Sequence, residues 1–285
     1  MKLLVLGAGG MAGHVATIRL LEQGHNVTGF ARRELPFCET IVGDLMSVDI
    51  SGIVSGFDAV INCVGVLNKA VDASPDNGIW LNSYLPHLLA RYAKRVIHIS
   101  TDCVFSGHDG GSYCEDSFRS ADTMYGRSKA LGELFDDRNL TFRTSIVGPD
   151  INENGVGLFN WFMQQNGAVN GYIGAIWGGV TTLVLADAID AAFRQGTTGL
   201  FHLTNCEKIS KYELLKLFNT LRREPVAIVP SKDVNEDKSL VHTRTGFSSY
   251  SVPSYADMVS DMGKWMLMHK TMYQRYELKD SNEDY

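Results

Sequence analysis

Residues 2–13 read KLLVLGAGGMAG. The LLVL run is continuously apolar, as a strand covered on both faces must be, and glycines begin where it ends. A segment of helical period follows, from Met11 to Gln23. Gly7, Gly10 and Gly13 stand at GxxGxxG spacing between strand and helix. Glycines there let the backbone turn tightly and approach a pyrophosphate, whose charge rests on the free N–H groups of the helix N-terminus. A glycine-rich turn by itself is only a tight connection. The strand before it and the helix after it make Gly7, Gly10, Met11 and Gly13 candidate dinucleotide contacts.

Beyond this unit, short β-rich runs alternate with longer helical ones. Strands are expected at Lys2–Leu6, Asn26–Phe30, Thr40–Val42, Ala59–Cys63, Arg95–Ser100 and Thr141–Ile146, and helices at Met11–Gln23, Trp80–Ala93 and Met124–Asp136. Such alternation signals βαβ units and a parallel sheet. The expected fold is α/β, a doubly wound parallel sheet of Rossmann type. Its regularity fades after Gly148, where NENGVG and GYIGAIWGG read as glycine-rich turns. A helical stretch at Leu183–Phe193, a strand-like GLFHLTN and a helix at Lys211–Leu221 come later. Residues 1–148 are therefore expected to form the dinucleotide-binding domain. Residues 149–285 would form a smaller substrate-binding lobe interleaved with it, with the polar end LKDSNEDY frayed.

Composition narrows the partners. The chain has 285 residues, 45% hydrophobic and 20% charged, with a formal net charge of -6. No basic stripe offers a footprint for nucleic acid. Five scattered cysteines, Cys38, Cys63, Cys103, Cys114 and Cys206, show no zinc spacing and suit a reducing cytosol. No metal site is expected. The apolar run at the N-terminus is shorter than a signal peptide needs, and no segment approaches the roughly twenty apolar residues of a membrane span. A cytoplasmic protein with no membrane partner is expected, and a homodimer is allowed.

The second strand ends in GFARRE. An acid there would bind the ribose 2′-OH of NAD, but Phe30 and Ala31 hold that place. Arg32 and Arg33 follow, suited to a 2′-phosphate. NADP (NADPH) is favoured over NAD, which Glu34 keeps open. Asp44 and Leu45 after the third strand, and Cys63, Val64 and Gly65 after the fourth, complete the cofactor candidates. Farther on, MYGRSKALGE at 124–133 places Tyr125 and Lys129 on one helix face. A cation beside a phenol lowers its pKa from about 10 and makes it an effective general acid. The STD at 100–102, at the carboxyl end of the fifth strand, puts a hydroxyl where open α/β sheets bind ligands.

These motifs together resemble the extended short-chain dehydrogenase/reductase superfamily, and within it the dTDP-4-dehydrorhamnose reductase family. The resemblance rests on GAGGMAG, STDCVFSG (100–107), YGRSKALGE (125–133), RTSIVGP (143–149) and GGVTTLVLADAI (178–189), and covers roughly residues 1–205. It implies that Tyr125 donates a proton, that Lys129 binds the nicotinamide ribose and tunes Tyr125, and that Thr101 is the catalytic hydroxyl. Asp102, Val104 and Phe105 would lie beside the sugar. The implied reaction is reduction of the 4-keto group of a nucleotide-activated 6-deoxyhexose, in the synthesis of cell-surface polysaccharide precursors. Arg143, Asn154, Trp161 and Trp177 are candidates to clamp the nucleotide sugar, each with a plain packing or pairing alternative.

The chain departs from the family pattern at Cys103, where Tyr is common, and at Ile146, where an aromatic is usual. Both shrink side chains near the expected sugar site, and VLNKAVDASPDNG (66–78) also differs. Two rival readings stay open. An epimerase or dehydratase of the same superfamily would hold its NAD tightly, against the sense of Arg32 and Arg33. A non-catalytic dinucleotide-binding regulatory subunit would not need Thr101, Tyr125 and Lys129 together.

Overall fold

The computed structural model describes residues 1–279. The first part of the chain runs β1 (Lys2–Leu6), α1 (Met11–Glu22), β2 (Asn26–Ala31), β3 (Glu39–Val42), α2 (Ile50–Val54), β4 (Ala59–Asn62), α3 (Asn68–Ala73) and α4 (Pro75–Ile79). A π-helical turn, Trp80–Tyr84, leads into α5 (Leu85–Tyr92) and β5 (Val96–Ser100). Then come a 3-10 turn at Asp102–Val104, α6 (Met124–Leu131), β6 (Leu140–Arg143), β7 (Ile146–Val147), α7 (Leu158–Met163) and β8 (Val169–Trp177). The last part holds β9 (Val180–Thr181), α8 (Thr182–Gln195), β10 (Gly199–His202), β11 (Ile209–Ser210), α9 (Lys211–Asn219), β12 (Ile228–Asp237) and α10 (Tyr255–Met268).

Seven strands form one sheet in the order β10-β6-β5-β4-β1-β2-β3, parallel throughout. This is the Rossmann-type α/β fold expected. The chain leaves β1 toward β2 and β3, then crosses to place β4 on the other side of β1. At that reversal the loops diverge and leave a crevice at the carboxyl ends of the strands. Strands β1, β4 and β5 carry buried residues on both faces, because helices cover both sides of the sheet.

Residue 148 does not bound the sheet. β10 pairs in register with β6, Gly199 opposite Leu140 through His202 opposite Arg143. The helix before it, α8, lies on α1, where Arg19 Nε donates to Asp187 Oδ1 at 2.7 Å and His25 Nε2 meets Asp190 Oδ1 at 2.6 Å. The last crossover of the sheet therefore comes from the C-terminal half.

Three local readings are corrected. GYIGAIWGG lies largely in a strand, β8, paired with β12 and β11. Its glycines serve close approach: a Cβ on Gly171 would lie 2.7 Å from the Tyr212 ring and 2.8 Å from Ile228. The helix expected to reach Asp136 stops at Leu131, and Gly132 at its C-cap lets the chain pass close to Asn82, since a Cβ there would fall 2.0 Å from the Asn82 carbonyl oxygen. The strand expected through Ile146 breaks at Thr144, whose hydroxyl donates to the Leu203 carbonyl, and Ile146–Val147 pairs with β9 instead. Most of LKDSNEDY lies outside the described residues.

Gly13 packs against the turn it follows. A Cβ there would sit 2.1 Å from the Gly7 carbonyl oxygen and 2.7 Å from its carbon. Gly13→Ala is expected to cost about 3 kcal/mol or more by overpacking, read as a lower urea midpoint at unchanged m-value.

Candidate active site

The glycine turn is built as a cradle. Gly7 has φ +75°, and the N–H groups of Gly7 and Ala8 donate to the Phe30 carbonyl at 3.1 and 3.2 Å. Gly10 caps α1 with no side-chain hydrogen bond, so no side chain claims the first-turn N–H groups. Cys63 and Val64 press on the turn, 3.3–3.4 Å from the Cβ position of Gly7, and Met11 reaches Gly157. These features fit a dinucleotide, with the pyrophosphate on the helix N-terminus. Gly65 follows in the exposed loop after β4.

Arg32 and Arg33 are exposed just past β2, and Arg33 Nη2 donates to Asn152 Oδ1 at 3.1 Å. Asn152 Nδ2 in turn donates to the Gly9 carbonyl at 2.8 Å, so the loop after β7 folds onto the turn. Exposed Asp44 accepts the Met46 N–H. Leu45, expected at the cofactor, is instead a core residue, buried in a cluster with Phe30, Ile50, Val54 and Phe57.

Tyr125, Lys129 and Thr101 come together. Thr123 caps α6 by accepting the Gly126 N–H at 3.1 Å. A Cβ on Gly126 would lie 2.1 Å from the Cys103 carbonyl oxygen, so the helix rests directly on the loop after β5. That contact brings the Tyr125 phenol beside the Thr101 hydroxyl. Lys129 Nζ donates to the Ile99 carbonyl at 2.6 Å and lies 3.5 Å from His98 Nε2. The expected lowering of the Tyr125 pKa is corrected. Burial pushes the phenol up, Cys103 and Asp102 push the same way, and only the neighbouring Thr101 hydroxyl pulls it down. Lys129 itself falls to about 8, because burial outweighs the attraction of Glu133 and Cys63.

A second set of residues, joined by Glu133 and Asn82, which the sequence did not single out, fixes these groups. Glu133 Oε1 accepts from Ser100 Oγ at 2.7 Å and from Arg143 Nε at 2.8 Å, and its Oε2 accepts from Arg143 Nη2 at 2.8 Å. Arg143, a candidate clamp on the sugar, is thus a buried structural partner. Asn82 in the π-helical turn accepts the Val66 N–H and donates to the Val66 carbonyl and to Ser128 Oγ. The signal available for Glu133 was its place four residues after Lys129, one turn along the same face.

Of the sugar-side candidates, Asp102 is buried beside Thr101, which donates to it at 3.1 Å. Burial raises its pKa, partly offset by the positive charge of Lys238. Val104 and Phe105 are wholly buried, with Phe105 stacked on Tyr113 at 4.2 Å under the Arg143 guanidinium. They form a small core cluster with Tyr113 and Leu240. Trp177 is only 5% exposed and packs against Tyr255, which makes it core. Asn154 is exposed on the loop whose Asn152 reaches the glycine turn, and Trp161 is 44% exposed on α7. A concavity of about 560 Å³, lined by Glu115, Phe118, Arg119, Arg127, Leu131 and Phe135, takes the opposite face of α6 from Tyr125 and Lys129. Among the described residues no helix is long and apolar enough to cross a membrane, and no cluster of His, Cys, Asp and Glu could hold a metal.

The family model described as the RmlD substrate binding domain matches residues 1–279. A dTDP-4-keto-6-deoxy-D-glucose reductase of Streptomyces niveus is 27% identical over 239 residues, 80% of this chain and 81% of that protein. Other matched relatives are spanned for only about half their length, 48% and 40% in two cases. Among solved structures, a dTDP-4-dehydrorhamnose reductase of Bacillus anthracis in complex with NADP superposes with a TM-score of 0.73 at 18% identity, over 92% of this chain and 98% of that one. MoeE5 in complex with UDP-glucose and NAD superposes with a TM-score of 0.74 at 17% identity, over 94% and 99%. At these identities the two structures speak for the fold.

Lys129 is held charged at neutral pH at a cost to stability. Its pKa falls from 10.5 unfolded to about 8 folded, so the unfolded chain binds more protons between those values and stability rises with pH across that window. The full shift corresponds to about 3 kcal/mol, and losing the bond to the Ile99 carbonyl returns about 1 kcal/mol. Lys129→Met is therefore expected to raise the unfolding free energy at pH 7 by about 2 kcal/mol. Denaturant titrations should show the gain shrinking as pH rises from 8 toward 10.5.

Proposed function

This chain belongs to the RmlD substrate binding domain family, and on that premise we propose that it is a nicotinamide-dependent reductase of nucleotide-activated 6-deoxyhexoses, acting on the 4-keto group. The observation that carries the reading is the meeting of the Thr101 and Tyr125 hydroxyls at the carboxyl end of β5, with Lys129 buried one helical turn along α6. The relative from Streptomyces niveus, a reductase of such a sugar nucleotide by its name, supports the substrate class.

When bound, the nicotinamide supplies the hydride. Tyr125 and Thr101, the latter turning its hydroxyl from Asp102, hold the ketone oxygen with two donors, whose hold strengthens as that oxygen gains negative charge. Tyr125 then passes its phenolic proton to the oxygen. A proton donor must be protonated beforehand, and burial keeps Tyr125 so at neutral pH. Lys129 projects from the same helix face, where its side chain can meet ribose hydroxyls. Cys103, partly buried beside Tyr125 with its thiol pushed up to about 12, forms an uncharged wall of the site.

Arg32 and Arg33 support NADP as the cofactor, since a guanidinium fork matches the 2′-phosphate. The presence of Thr101, Tyr125 and Lys129 in one cluster favours catalysis over a purely regulatory dinucleotide-binding role.

Tyr125→Phe is expected to lower kcat on an NDP-4-keto-6-deoxyhexose by about 10²- to 10⁴-fold while NADPH binding, followed by fluorescence, stays within about twofold. Full turnover in this variant would exclude Tyr125 as the acid. The double change Arg32→Ala, Arg33→Ala should weaken NADPH by about tenfold more than NADH, a difference of about 1.4 kcal/mol. Equal weakening of both would remove the 2′-phosphate assignment.

A further inference from the structure

Behind Lys129 runs a line of buried polar groups that the reaction does not use. The Val64 peptide N–H donates to Asn62 Oδ1 at 3.2 Å, and Asn62 Nδ2 meets His98 Nδ1 at 3.1 Å. His98 Nε2 faces Lys129 Nζ at 3.5 Å, and Nζ donates to the Ile99 carbonyl at 2.6 Å. Asn62 and His98 have no exposed surface, and Lys129 has 3%. Water therefore cannot repair a mismatch of donors and acceptors in this line.

The order of donors decides which protonation state fits. With Oδ1 taken by the Val64 N–H, the Asn62 amide can only donate to His98. A neutral imidazole that accepts at Nδ1 carries its proton on Nε2. That N–H points at Nζ, so the line is consistent when Lys129 is an amine offering its lone pair. An ammonium has three donors and no acceptor. Charging Lys129 then requires the opposite polarity: Nε2 accepts, Nδ1 carries the proton, and the Asn62 amide turns its oxygen to Nδ1. The turned amide no longer offers Oδ1 to the Val64 N–H. One proton enters in total: Nζ gains the proton from Nε2, and Nδ1 takes one from solvent.

We infer that Asn62 and His98 form a hydrogen-bond chain with two polarities, which couples the charge of Lys129 to the peptide N–H of Val64 at the lip of the cofactor cradle. In the amine state Val64 N–H is tied to Asn62. In the ammonium state it is released, beside the glycine turn that Val64 touches. His98 is thus a positioning residue that acts through Lys129. The titratable groups acting on this line are Cys63 at the end of β4, Glu133 just past α6, and His87 on α5. Glu133 and Cys63 favour the ammonium, whereas burial opposes it. His98 is held neutral by burial, with the charges of Lys129 and His87 acting the same way. The consequence for hydride transfer rests on the reductase reading, while the coupling itself does not.

The test uses the full chain, isotopically labelled, without substrate. The ring nitrogens of His98, the Val64 amide and the Lys129 side chain are followed by NMR from pH 6 to 10. The expected result is one shared midpoint near pH 8, at which the protonated ring nitrogen changes from Nδ1 to Nε2 with rising pH and the Val64 amide shifts. In Lys129→Met the Val64 amide should stay flat across that range. In His98→Leu the lysine should still titrate while Val64 no longer follows. A His98 tautomer that stays constant through the Lys129 titration overturns the inference, as does a Val64 amide that keeps following in His98→Leu. If His98→Leu fails to fold, the wild-type tautomer decides the matter alone. Shared titration in a protein that reduces no nucleotide sugar would refute the reductase reading and leave the coupling standing.

Discussion

The Glu133 carboxylate is the point on which the site depends. It has no exposed side-chain surface, yet it accepts from Ser100 at the end of β5 and from Arg143 at the end of β6, and it follows directly on the helix that carries Tyr125 and Lys129. One anion therefore fixes two strand ends and one helix relative to each other. Breaking such a buried pair by removing one partner costs about 3–5 kcal/mol, because the other charge is left unpaired. Gly126 supplies the steric half of the same constraint by letting α6 touch the Cys103 carbonyl. Together they set the separation of Thr101 from Tyr125.

Local patterning made the first half of the fold legible. The LLVL and AVIN runs have the unbroken apolar character of strands covered on both faces, and both lie at the centre of the parallel sheet. Tyr125 and Lys129 were legible for a similar reason, since helical spacing alone places them on one face. What could not be read depends on distant contacts. GYIGAIWGG reads as turns until Tyr212 and Ile228 are known to press on Gly171. Trp177 reads as a sugar platform until Tyr255 is found against it. The Tyr125 pKa was inferred from its neighbour in sequence, whereas Lys129 turns its amine toward Ile99 and burial sets the sign.

The cofactor side of the crevice is shaped by segments far apart in the chain. Arg275 donates to the carbonyls of Asp150 and Glu153, which holds the loop that sends Asn152 to Gly9 and Arg33. Tyr273 meets His14 Nε2 at 2.8 Å, while His14 Nδ1 meets the Gly10 carbonyl at 2.8 Å. The C-terminal segment thus buttresses the glycine turn through His14 and through Asn152.

The position of β10 bears on how the molecule is made. The strand beside β6 is supplied by residues 199–202, and the helix that covers α1 by residues 182–195. A chain growing on the ribosome at about 5–20 residues per second would leave the edge of β6 bare for several seconds after β6 itself emerges. A nascent sheet with an open apolar edge is a template for mispairing. The architecture thus hands the interval between synthesis of β6 and β10 to whatever shields unfinished chains.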